Sequence, residues 1–111
     1  MSLIAQKFYS IGARLQAKKC RANGMTDAHV PSVFDTAVQV GRQNANGDAT
    51  DESLKLAFFS RLDGLAIDPA TIMLIVQLCL LIYKALQAAG YFDTAEGFQS
   101  VANARAIIGD L

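Results

Sequence analysis

Between Asp68 and Lys84 lie fifteen consecutive uncharged residues, and from Ile72 to Tyr83 Gln77 is the only polar side chain inside the run. Asp68 is a helix cap and Pro69 suits the first turn, so the spacing predicts a helix over about 69–89, ending before Gly90. A helix that is apolar all the way round must be enclosed, because any bare face would leave a large hydrophobic patch in water. Three enclosures satisfy that demand: the centre of a helical bundle, a symmetry mate, or a bilayer. Fifteen residues rise only about 22 Å against a hydrocarbon core of about 30 Å. A span would need Lys84 to snorkel and Ala85 to Ala89 to count as part of it, so a soluble enclosure is expected. A buried Gln77 would then find a partner or set the register of a helix-pair seam. The candidate core and interface set on this helix is Ile72, Ile75, Val76, Gln77, Cys79, Leu80 and Tyr83. Short amphipathic neighbours do not fully cover such a helix, so a homo-oligomer joined through it is expected.

The remaining sequence supplies those neighbours. Gly and Pro divide it into segments whose apolar residues recur at helical spacing, and no stretch alternates as a strand does. The first segment, Leu3 to Ala22, carries Ile4, Phe8, Ile11 and Leu15 on one face and stops at Asn23-Gly24. The second starts near Pro31 and presents Phe34, Ala37, Val38 and Gly41. Thr50 caps a third that contains Leu54, Ala57, Phe58 and Leu62, with Asp51 and Glu52 at the positive end of its dipole. A capping box of Asp93 and Glu96 opens a fifth through Phe98, Val101, Arg105 and Ile108 to Gly109. With 111 residues, 52% of them hydrophobic and 18% charged, disorder is excluded. The expected fold is a single all-α domain, 1–111, of about five helices around one central, fully apolar helix.

Zero net charge hides a division. Residues 1–26 hold five bases and no acid, while the remainder holds all ten acids and five bases. Lys7, Arg14, Lys18 and Arg21 align along one face of the first helix, beside Phe8, Ile11 and Leu15. Such a stripe can neutralise phosphates, of nucleic acid or of anionic lipid, or can face the acids of its own fold. The second use is the more ordinary one when charges sum to zero.

Motifs for chemistry are sparse. His29 sits in the turn Asp27-Ala28-His29-Val30-Pro31 with no nucleophile motif beside it, and reads as a locally hydrogen-bonded turn residue. One His with two distant cysteines does not make a zinc site. Cys20, between Lys19 and Arg21, is the more activated thiol by its neighbours, and Cys79 reads as a small core residue. The loop Asn44–Asp48 lacks the order of calcium ligands, and no phosphate loop or di-iron Glu-x-x-His pair occurs. No cofactor or metal is expected, and two cysteines without a disulfide pattern point to a reducing, cytoplasmic setting. The reading is a small non-catalytic interaction or assembly module, with anion binding by the first helix as the alternative.

Overall fold

The computed structural model describes residues 3–45, 47–93 and 101–111. These form α1 (Leu3–Ala22), α2 (Val30–Gln43), α3 (Asp51–Leu62), α4 (Pro69–Ala88) and α5 (Val101–Ile108), with single 3₁₀ turns at Asp27–His29 and Tyr91–Asp93. No strand occurs among the described residues. The all-α expectation holds, and α4 is the hub, touching each of the other four helices.

Local chemistry sets the ends. Thr50 Oγ1 accepts from the Ser53 N–H at 3.1 Å while Ser53 Oγ accepts from the Thr50 N–H at 3.0 Å, a reciprocal cap on α3. Asp68 Oδ2 accepts from the Ala70 N–H at the start of α4. At the end of α1, Gly24 takes φ +119° and the Met25 N–H reaches back to the Cys20 carbonyl at 2.9 Å. That left-handed exit is the one Asn23-Gly24 predicts. Glu96 and Phe98, expected at the start of the fifth helix, lie outside the described residues; Val101 to Ile108 is helical as expected.

The main packing unit is α1 laid antiparallel on α4. Gln16 Nε2 donates to the Leu74 carbonyl at 3.1 Å, Gly12 faces Leu81, and the Lys84 ammonium lies 5.8 Å from the Tyr9 ring centre. At the far end Thr71 Oγ1 donates to the Asn23 carbonyl. The face that α1 turns inward is made of small residues: Ser10, Ala13, Ala17 and Cys20 are its buried positions. The row Ile4, Phe8, Ile11 and Leu15, which the sequence places on one face, is therefore not the core-facing side. The physical reason is bulk. α4 already fills the centre with Ile75, Leu78, Ile82 and Leu86, all fully buried, and only short side chains let a second helix axis approach such a surface.

Candidate functional site

The residues picked out on α4 go into the core of the chain itself. Ile72, Ile75, Val76, Cys79, Leu80 and Tyr83 are buried among the other helices, while Gln77 is exposed. The expectation that Gln77 is buried within the chain is therefore corrected: the run is apolar on the sides its own neighbours cover, and Gln77 stands exposed, as does Met73. An 18-residue window of α4 has a mean hydropathy of 1.9 and is long enough for a bilayer, and 61% of it is buried inside the protein.

The four aligned bases of α1 divide into two pairs. Arg14 and Arg21 are committed to the chain's own C-terminal segment. Arg14 Nη1 donates to the Ile108 carbonyl at 2.7 Å, at the negative end of α5, and Arg21 Nη2 donates to Leu111 O at 2.9 Å. Arg21 also pairs with Asp27. Lys7 and Lys18 are exposed, as is Lys19. The four aligned bases thus do two jobs: two close the fold, and two stand in solvent.

Beside the free lysines lies the feature that sequence reasoning missed. Ile4 is 85% exposed, Phe8 69%, Leu15 58% and Ile11 50%, with Leu3 bare at the helix start. At about 100° per residue these four point away from α4, roughly opposite Ala13 and Ala17. Their spacing of four, three and four residues keeps them in one narrow row. The signal that could have revealed it is the matching row of small residues, Ser10, Ala13, Ala17 and Cys20, at spacings of three, four and three. Two competing rows on one helix mean that the smaller one goes inward when the partner is already bulky.

A cleft of about 270 Å³ between α1, α3 and α4 gathers Tyr9, Asp51, Tyr83, Lys84 and Gln87. Its polar groups satisfy one another: Lys84 Nζ meets Asp51 Oδ2 at 3.0 Å, Gln87 Nε2 donates to Tyr83 Oη at 3.2 Å, and Tyr83 Oη donates to the Asn44 carbonyl at 3.4 Å. Burial pushes the Tyr83 hydroxyl above its ordinary pKa. His29 Nδ1 accepts from the Thr26 N–H at 3.0 Å, the local turn role expected of it. Among the described residues no group of three His, Cys, Asp or Glu is placed to hold a metal ion.

Both thiols are inaccessible, which corrects the activated reading of Cys20. It is fully buried against α4, and desolvation raises its pKa from 9.0 to about 11 despite the neighbouring cations. The Cys79 thiol, deeper still and within weak donating distance of the Val33 carbonyl at 3.8 Å, is also pushed up by burial. Native protein should therefore resist a thiol-specific reagent at pH 8, and react at both cysteines only in denaturant. The same burial fixes a sign with pH. A thiol whose folded pKa is raised supports the fold fully below its ordinary 9.0 and loses that support as pH climbs through about 11. A melting temperature that falls between pH 9 and 11, and falls less in Cys20→Ala, is the expected titration.

The outer row of α1 with its flanking lysines is thus an unpartnered feature among the described residues. No protein-family model, curated protein or solved structure matches the chain.

Proposed function

We propose that the protein is a small non-catalytic assembly module that self-associates through the outer face of α1. The observation that carries this reading is the exposure of Ile4, Phe8, Ile11 and Leu15 in a single row, on a helix whose opposite side already holds the fold together. A contiguous apolar surface of that kind is costly to leave in water and marks a contact site. Alternating spacings of three and four residues are those of a helix-to-helix seam. The test is absolute mass in solution. Wild-type protein should exceed 11.9 kDa at tens of micromolar, and Phe8→Asp with Leu15→Asp should bring it to 11.9 kDa without lowering the melting temperature of the dilute protein. Wild type that stays at 11.9 kDa, or a double variant that still associates, overturns the reading.

A second reading has one observation in its favour. Lys7, Lys18 and Lys19 stand exposed beside the apolar row, as on helices that lie on anionic lipid. Sedimentation with anionic vesicles but not neutral ones, collapsing with salt and lost in the same double variant, would favour it. Nucleic acid is the weaker case, because Arg14 and Arg21 are spent on the protein's own carbonyls and an apolar row contributes nothing to a phosphate backbone.

A further inference from the structure

If α1 is a docking face, the question is what it docks on. The row is narrow: four residues whose directions fall within about 60° of one another on an ideal helix, where a helix lying in a membrane interface needs a broader apolar face. The matching occupant is another helix. A second α1 is a poor one, since residues 1–26 contain no acid and Lys7, Lys18 and Lys19 would meet their own kind in either orientation.

The chain itself carries a better match on α3. Leu54, Phe58 and Leu62 face the core, and on the opposite side Glu52, Leu56, Phe59 and Asp63 run outward at spacings of four, three and four. Leu56 is 73% exposed and Phe59 37%. This row repeats the spacing of Ile4, Phe8, Ile11 and Leu15, and both rows are about 16 Å long. It differs in its ends, which are carboxylates, with Lys55 beside Glu52 at 3.8 Å. α1 and α3 both pack mainly on α4, and the two rows stay exposed on its outside, so they do not meet within one molecule.

We infer that the outer face of α1 in one copy docks on the outer face of α3 in the next, the lysines of α1 lying against Glu52 and Asp63. This inference rests on the docking reading of α1. The contact is heterologous, because the two surfaces differ, so a docked pair still has one free face of each kind and the assembly grows as a ring or an open row. The division of charge along the sequence, five bases without an acid before Asp27 and the acids after, is what such head-to-tail contact uses. A single helix pair gives a small interface, below about 1,200 Å² in total, so association should depend on concentration and weaken with salt.

Two broken-face variants test it. The first, Phe8→Asp with Leu15→Asp, loses the α1 face; the second, Leu56→Lys with Asp63→Lys, loses the α3 face. Each alone should run at 11.9 kDa with wild-type helix content, and an equimolar mixture should give a species of twice that mass and nothing larger, because each variant supplies the face the other lacks. A mixture that stays at 11.9 kDa overturns the inference. So does an α3 variant that self-associates like wild type; if the α1 variant is then monomeric, α1 pairs elsewhere and the docking reading stands. If the α1 variant also associates like wild type, both readings fall.

Discussion

Replacing Ala17 with Leu should lower the melting temperature by about 4–12 °C, while replacing Leu15 with Ala, two residues away, should move it by no more than about 2 °C. The first change forces three extra heavy atoms between α1 and α4 at a position with no exposed surface. Overpacking of that kind costs about 1–3 kcal/mol, since the neighbours are packed to near-crystalline density and must shift. The second removes a side chain that leans into solvent, where substitutions stay within about 0.5 kcal/mol. Ordinary expectation from side-chain size is the reverse, with the large residue in the core and the small one outside. Thermal melts at low micromolar concentration, where association through α1 does not contribute, decide between them. Equal shifts, or a larger one for Leu15→Ala, would mean that α1 is turned the other way.

A second neighbouring pair makes the same comparison on α4. Leu78→Ala should cost about 2–5 kcal/mol, a large share of the roughly 5–15 kcal/mol that holds a domain together. Leu78 is fully buried at the centre of the hub, and the space it leaves is walled by helices that cannot all close in. Gln77→Glu, at the adjacent and exposed position, should stay within about 0.5 kcal/mol. Urea unfolding is the measurement: the midpoint should fall strongly for Leu78→Ala at an unchanged slope, and hold for Gln77→Glu. A Gln77→Glu variant that unfolds would restore a buried role for that amide.

Much of the architecture is legible in the residues because it is set locally. The Thr50 and Asp68 caps, the left-handed glycine after α1 and the unbroken apolar run of α4 each act within a few residues of themselves, so each could be read without knowing the rest. The candidate site was hidden for the opposite reason. Which side of α1 is inside depends on how much volume α4 already occupies, a property of a helix that begins 47 residues after α1 ends. Gln77 was misplaced by the same blindness: it sits in the middle of an apolar run, but only the arrangement of four neighbours decides which edge of that run stays bare. Arg14 and Arg21 look identical to Lys7 and Lys18 on a helical wheel. Their use is fixed by carbonyls 94 and 90 residues away.

The antiparallel pairing of α1 with α4 also has a consequence for synthesis. α1 is made before α4, and the surface it must lie on is complete only when Ala88 has been added, 66 residues after Ala22. At about 5–20 residues per second that is an interval of roughly 3–13 s, lengthened by passage through the ribosomal tunnel. Throughout it α1 has no partner for its small-residue side, and its bulky row is bare as well. Translation speed across residues 23–88 therefore sets how long the nascent chain displays both, and a cluster of slow codons there would prolong the period in which it can pair with a neighbouring nascent chain instead of with its own α4.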